Sequence, residues 1–414
     1  MNPELFTIPV INLSVKSYGF MLMLGFLSAI WLGMRRAERV KANPDVILNC
    51  GILALFFGVG GARLFYVVHY WKTGFAYQTN PLWAVLNITS GGLEYLGGLI
   101  GAVSGVAIYI TLHGRLFARK EPRLSLRLYL DLLAPIAMWG LAFGRAGCFL
   151  NGCCWGGLCV DDHNHKVLPW ALEFPFASGP HDRQWMNRQA TVPSELIWNE
   201  PSETRVTLLV PRQLLETSPE ALRPLREYEE INTEYEAEKA QGADGAEFER
   251  LASRWKMARE TCRKLNVRLA PAIAARQCPS RKDPSRRSTL SDLNELAQRY
   301  PSLPVHPAQL YGIVNALLLY GVLVLIFNHR RRHGVVMAWM LLLYPITRFV
   351  LELIRVDNPH DAVGLTISQA FGLGVFLCGL LWMYVTYKLL PLRSPVVVPW
   401  VPPELDEGEG KPKA

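Results

Sequence analysis

Phe143-Gly-Arg-Ala-Gly-Cys-Phe-Leu-Asn-Gly-Cys-Cys-Trp-Gly156 closes an apolar run that begins near residue 128 and places a guanidinium, Arg145, at its end. A second apolar run has the same character, Leu343-Tyr-Pro-Ile-Thr-Arg-Phe-Val-Leu-Glu-Leu-Ile-Arg355, with Arg348 inside it. A guanidinium near bilayer depth costs roughly 2.5–3.5 kcal/mol on insertion scales, so it faces a polar cavity and an anionic partner. In a lipid-embedded cavity, a phospholipid phosphate suits the planar donor fork of arginine. For Arg348 a second reading stays open, a structural ion pair with Glu352 one helical turn on. Arg145 has no nearby acid in sequence.

Around these two runs the chain is built from two materials. Half of its 414 residues are hydrophobic and the mean hydropathy is +0.14. Residues 1–157 and 306–392 are strongly apolar and glycine-rich, whereas the stretch between them is charged. The formal charge of +8 would suggest nucleic acid in a soluble protein. Here the basic residues cluster in short loops beside apolar segments, which points to membrane topology and anionic headgroups, with no nucleic-acid partner. The N-terminus lacks a charged n-region and a small-residue cleavage site, so the first apolar segment is expected to stay as an anchor.

Seven segments are long enough to span hydrocarbon, at about 17–34, 46–69, 92–113, 128–148, 308–328, 335–354 and 366–388. Arg35, Arg36, Arg39 and Lys41 follow the first. Arg115, Arg119, Lys120, Arg123 and Arg127 separate the third from the fourth, and Arg330, Arg331 and Arg332 separate the fifth from the sixth. Alternate loops are therefore basic. The expected fold is an all-α polytopic membrane protein of seven transmembrane helices, N-terminus out and C-terminus in. A soluble extracytoplasmic insert, 158–305, divides a four-helix part, 1–157, from a three-helix part, 306–392. Within the insert, residues 160–217 suit short strands and loops. Ser218 to Asn266 reads as a helical hairpin broken near Gly242–Gly245, and Arg276–Arg287 as a mobile basic tether. The tail, 393–414, has no apolar periodicity and is expected to be disordered.

Polar groups on the apolar segments are few and patterned. Tyr344, Arg348 and Glu352 recur every four residues and Arg355 follows three later, all on one helical face. Such a face can bind a phosphate and move a proton, or serve as a buried network holding the bundle together. Gly97, Gly101 and Gly105 fit small-residue helix packing. The glycines flanking Arg145 suggest a place where backbone N–H groups approach an anion. His306 precedes Pro307 and the fifth segment and reads as a cap or as a catalytic base. Cys148, Cys153, Cys154 and Cys159, with His163 and His165, leave a metal or redox protein open as an alternative, although the spacing fits no standard finger. No metal or cofactor is assigned. Cys50 and Cys378 read as packing residues, and Cys262 and Cys278 could pair outside the cytoplasm.

Six blocks, taken in order, resemble the prolipoprotein diacylglyceryl transferase family. They are Tyr18-Gly-Phe-Met, Gly91-Gly-Leu-Glu-Tyr-Leu-Gly-Gly-Leu-Ile-Gly101, Phe143 to Gly156, His306-Pro-Ala-Gln-Leu-Tyr311, Tyr344 to Asp357, and Leu365-Thr-Ile-Ser-Gln369. Leu96 stands where that family usually has a histidine, Cys148 where it has an asparagine, and Cys153 where it has an acid. The resemblance implies transfer of the diacylglyceryl group of phosphatidylglycerol to the lipobox cysteine of prolipoprotein signal peptides, in a bacterial inner membrane. A thioether forms and glycerol-1-phosphate leaves. It further implies that Arg145, Arg348, Asn151, Gly156 and Arg355 hold the phospholipid. With Leu96 in place of the histidine, His306 becomes the candidate base, with Arg348, Tyr344 and Tyr18 as the other catalytic candidates. A lipid-binding relative without transferase activity is the remaining alternative.

Overall fold

The computed structural model describes residues 4–8, 13–71, 75, 81–86, 92–116, 124–162, 165–197, 209, 223–240, 245–264, 290–355, 360–362 and 365–393. His163, Cys278, the basic stretch Arg276–Arg287 and the tail from residue 394 lie outside them. In chain order the elements begin with strands β1 (Glu4–Ile8) and β2 (Leu13–Lys16), then helices α1 (Ser17–Arg39), α2 (Pro44–His69), α3 (Pro81–Leu86), α4 (Tyr95–Leu116) and α5 (Leu126–Asn151). Next come α6 (Gly179–Met186), α7 (Arg223–Ala240), α8 (Ala246–Lys264) and α9 (Leu290–Gln298). The chain continues with α10 (Ala308–His329), α11 (Val335–Ile354), β3 (His360–Ala362), β4 (Leu365–Thr366) and α12 (Ile367–Tyr384), which runs on as a wider turn over Val385–Leu389.

Seven helices are long and apolar enough to cross a membrane, and they coincide with the seven expected segments to within a few residues at each end. Their outward faces carry Leu27, Phe56, Leu64, Val103, Leu318, Leu353 and Leu381, an apolar surface suited to lipid. The core between them is built by Ile47, Ile110, Leu132, Leu323 and Val336. α2 and α4 meet through glycine. A Cβ on Gly61 would fall 3.1 Å from the Gly101 Cα, so side chains larger than hydrogen would force the helices apart. Helix packing is thus the role of Gly97, Gly101 and Gly105, the last lying against Phe57.

Helix ends are set by local chemistry. Asn43 accepts from the Asp45 N–H with Pro44 in the first turn of α2, and Thr366 and Gln369 form a reciprocal cap on α12. α11 is capped from another helix. The Asp131 carboxylate, fully buried on α5, accepts from Gly334 N (2.8 Å), Val336 N (2.9 Å) and Met337 N (3.1 Å), and pairs with Arg330 at 3.2 Å. Two short antiparallel hairpins, β1–β2 and β3–β4, were not anticipated from the sequence.

Trp155–Pro307 forms a second compact unit. Its spine is the extended segment from Ser302 to His306. Val305 exchanges hydrogen bonds with Leu172, Ser302 N bonds Phe174 O, and Cys159 N bonds Pro304 O. Phe176, Leu196, Leu209, Tyr228, Leu293 and Ala297 make its core. The expected hairpin is present as α7 and α8, with Tyr235 stacked on Phe248 and Trp255 and the Trp255 N–H donating to Asn232 at 2.7 Å. Among the described residues of 160–217, pairing is limited to single bridges, Val160 with Lys166, Leu172 with Val305 and Ile197 with Leu209. His181 is buried against Phe176, and burial pushes its imidazole below the ordinary range.

Candidate active site

The patterned face of α11 forms as its spacing suggests. Arg348 Nη1 lies 2.5 Å from Glu352 Oε2, Arg355 Nη1 lies 3.6 Å from the same oxygen, and Thr366 Oγ1 donates to Oε1 at 3.3 Å. All three charged side chains are largely buried, with the Arg348 side chain 13% and that of Glu352 1% exposed. The ion-pair reading of Arg348 is therefore present in the structure. The same carboxylate serves two guanidiniums.

A third guanidinium joins them from α5. Arg145 lies inside that helix, six residues before its end, and not at a segment end as the hydropathy suggests. Its side chain crosses α10 at Gly312, where a Cβ would sit 3.1 Å from Arg145 Cδ and 3.2 Å from Cγ. Gly147 makes comparable room on α5, since its Cβ would fall 2.9 Å from the Tyr18 ring. Arg145 is in electrostatic range of Tyr18, Tyr95, Cys154 and Arg348, and Arg348 of Tyr344 and Arg355. Among the described residues no acidic side chain pairs with Arg145. Among the described residues the cluster thus holds three guanidiniums, one carboxylate and three phenols, an arrangement suited to an anion.

Gly144, Gly147, Gly152 and Gly156, beside Arg145, do not serve as anion-facing backbone donors, which corrects that reading for these four. Gly144 and Gly147 are within α5, so their N–H groups belong to its helical ladder. Gly152, at φ 72°, closes the helix with its N–H on Phe149 O, and Cys153 N–H bonds Cys148 O at 3.1 Å. The Gly156 N–H donates to His306 O at 2.9 Å, and His306 N–H donates to Gly157 O at 2.9 Å. Gly156 accordingly offers no free N–H to a phosphate. These two residues belong to the Trp155–Pro307 unit, whereas Tyr18, Arg145, Asn151, Tyr344, Arg348 and Arg355 belong to the membrane unit.

Past the helix end, Cys148, Cys153 and Cys154 bring their sulfurs within 4.8 Å of one another. Asn151 reaches the Cys153 thiol, and the buried Gln309 amide donates to Cys153 O at 2.7 Å. Of the wider array of four cysteines and two histidines, Cys148, Cys153 and Cys154 are the ones that gather among the described residues of the membrane unit. Cys159 and His165 lie in the other unit, where His165 pairs with Asp161. Tyr95, which sequence reasoning did not single out, is largely exposed yet within electrostatic range of Arg145 and Arg348. It opens α4 beside Leu96, and Arg63 fixes the chain just before it by donating to Ala84 O (2.6 Å), Val85 O (2.8 Å) and Gly92 O (3.0 Å). A phenol one residue before the position of the missing histidine was the available signal.

The family model for prolipoprotein diacylglyceryl transferase matches residues 3–222 and 255–385. Across 409 aligned residues the chain is 26% identical to the phosphatidylglycerol--prolipoprotein diacylglyceryl transferase of Rhodopirellula baltica, covering 91% of this chain and 73% of that protein. The enzymes of the same name from Nitratidesulfovibrio vulgaris and Photorhabdus laumondii are each 35% identical. The match to the first covers 41% of this chain and 58% of that protein. The match to the second covers 43% of this chain and 55% of that protein. With seven spanning helices, an arginine cluster between them and a family match over most of its length, this chain belongs to the prolipoprotein diacylglyceryl transferase family.

Proposed function

We propose that the protein transfers the sn-1,2-diacylglyceryl group of phosphatidylglycerol to the lipobox cysteine of prolipoproteins, at the inner membrane of a bacterium. The observation that carries this reading is the convergence of Arg145 and Arg348 on spanning helices, with Glu352 bridging Arg348 and Arg355. Such a cluster suits a phosphodiester whose charge grows as the glycerol C–O bond breaks. In this scheme Arg145 and Arg348 hold the phosphate, with Arg355 and Asn151 beside it, and Tyr18 and Tyr344 position the incoming thiol. An unperturbed thiol has a pKa near 8.5 and is mostly protonated at pH 7, so a proton acceptor is required. His306 is assigned that part. A pH–rate profile of His306→Gln that matched the parent protein would remove it.

The alternating basic loops support an N-out, C-in orientation with 158–305 outside the cytoplasm, between membrane parts 1–157 and 306–392. Labelling of introduced cysteines in intact spheroplasts tests it, and protection of the insert until lysis would reverse the orientation. The activity is tested by incubating the purified protein with phosphatidylglycerol vesicles and a lipobox peptide. The expected products are the diacylglyceryl thioether peptide and glycerol phosphate. Phospholipid binding without either product would leave a lipid-binding protein in place of an enzyme.

A further inference from the structure

Cys148, Cys153 and Cys154 are not arranged like incidental core thiols. Cys153 and Cys154 are consecutive, and in an extended chain their side chains would point to opposite sides. Here both sulfurs lie within 4.8 Å of each other and of Cys148. Left-handed backbone at Gly152 (φ 72°) and at Cys154 (φ 61°) achieves this, and the second is a conformation that L residues rarely adopt. Strain of that kind, on the order of 1–3 kcal/mol, persists where surrounding structure holds it. The Gln309 amide on Cys153 O and the Cys153 N–H on Cys148 O do so.

We infer that Cys148, Cys153 and Cys154 form a three-thiolate site for a thiophilic divalent cation such as zinc, whose fourth position takes the thiol of the peptide substrate. Metal–sulfur bonds of about 2.3 Å in a tetrahedron set the sulfurs about 3.8 Å apart, so the observed spread needs only small side-chain rotations. No fourth histidine, cysteine or carboxylate joins the group among the described residues. Structural zinc sites are closed by four protein ligands, whereas catalytic sites keep three and leave one position for water or substrate. The surrounding charge fits as well. A divalent cation with three thiolates carries one net negative charge, and Arg145 and Arg355 both act on Cys154.

The substrate part of this inference rests on the transferase reading. A thiol is deprotonated on coordination, and its proton passes to the acceptor that the transferase reading requires. The sulfur then attacks the glycerol carbon. The S–C bond forms as the C–O bond to phosphorus breaks, and that electron pair leaves with the glycerol phosphate.

The test uses the full chain purified without chelators. Elemental analysis should find about one zinc per chain, and cobalt(II) in its place should show thiolate-to-metal charge transfer. A lipobox peptide should shift the cobalt spectrum, and the same peptide with serine for cysteine should not. Loss of an outer partner alone weakens metal binding about 10–100-fold, so Cys153→Ser and Cys154→Ser should each lower zinc affinity at least about tenfold. The cobalt spectrum of the parent protein needs no variant and stands if either substitution prevents folding. Full transfer by metal-free protein, a Cys148–Cys153 disulfide in protein taken from cells, or a cobalt spectrum indifferent to the peptide would each overturn the inference and leave the transferase reading intact. Thiolate-bound metal with no transfer under any condition would leave the metal site standing and remove the proposed activity.

Discussion

Arg348 is asked to do two things, pair with Glu352 and hold a phosphate, and a double-mutant cycle separates them. Removing one partner of a buried ion pair costs about 3–5 kcal/mol when the other charge is orphaned. Glu352 would not be orphaned in Arg348→Ala, because Arg355 remains at 3.6 Å and the Thr366 hydroxyl at 3.3 Å. The expected stability loss therefore falls to about 1–2 kcal/mol, within the range of measured couplings between contacting residues. In Arg348→Ala/Glu352→Ala that coupling is recovered, and the double variant should melt closer to the parent than the two single losses added together.

Activity should behave differently. A charge-assisted hydrogen bond is worth about 1.5–3 kcal/mol, so losing one to the phosphate should lower kcat/KM by about 10- to 150-fold. Removing Glu352 as well restores no donor fork, and the double variant should stay as slow as Arg348→Ala. Thermal melting of detergent-purified protein and the vesicle transfer assay supply the two readouts. Recovery of transfer in step with stability would show that Arg348 only holds the bundle together, and the phosphate would have to be held elsewhere.

Arg145→Lys should also be damaging, by about 10- to 150-fold in transfer with little change in melting, since a point charge cannot reproduce a bidentate fork; a lysine variant of normal rate would refute the contact. Gly312→Ala places a Cβ 3.1 Å from Arg145 Cδ and should lower transfer, with about 1–3 kcal/mol of overpacking; unchanged transfer would show that Gly312 does not set the position of Arg145. His333, in the turn before α11, is held down to about 4 by burial and by Arg330, Arg127 and Arg393. Its neutral form is the folded one, so the contribution is complete above about pH 6.5 and is lost as pH falls toward about 4. Melting curves across that window should therefore slope less in His333→Gln than in the parent, and parallel slopes would refute the assignment.

The spanning helices were legible because each is a long apolar run, and the face of Tyr344, Arg348, Glu352 and Arg355 because residues four apart on a helix cannot avoid one another. What remained hidden depends on a second helix. The glycines beside Arg145 looked like a turn open to an anion, but Gly147 serves Tyr18 on α1 and Gly312 serves Arg145 from α10. Both contacts join residues more than a hundred positions apart, which no local pattern reports. Tyr95 was hidden for the same reason, since the groups in its electrostatic range lie on α1, α5 and α11. The three thiols were visible as spacing, but their convergence required a left-handed cysteine that composition does not announce.

Asp131 explains how a site on separate helices keeps its register. It is an acid on α5, fully buried and far along the helix from Arg145, and the site does not use it. Its two oxygens accept from the first N–H groups of α11 and from Gly334, so α11 can neither slide along α5 nor turn about its own axis without breaking several charge-assisted bonds at once. From Val336 to Arg348 the helix rises about 18 Å at 1.5 Å per residue. A slip of one residue at the clamp would rotate Arg348 by about 100° and turn its guanidinium away from Arg145. Thr366 braces the other end by bonding Glu352 from the first turn of α12. The arginines gain little from one another, being alike in charge, so their convergence must be imposed from outside the cluster. The clamp at one end of α11 and the brace at the other impose it, and this is why a buried acid remote from the phosphate belongs to the construction of the site.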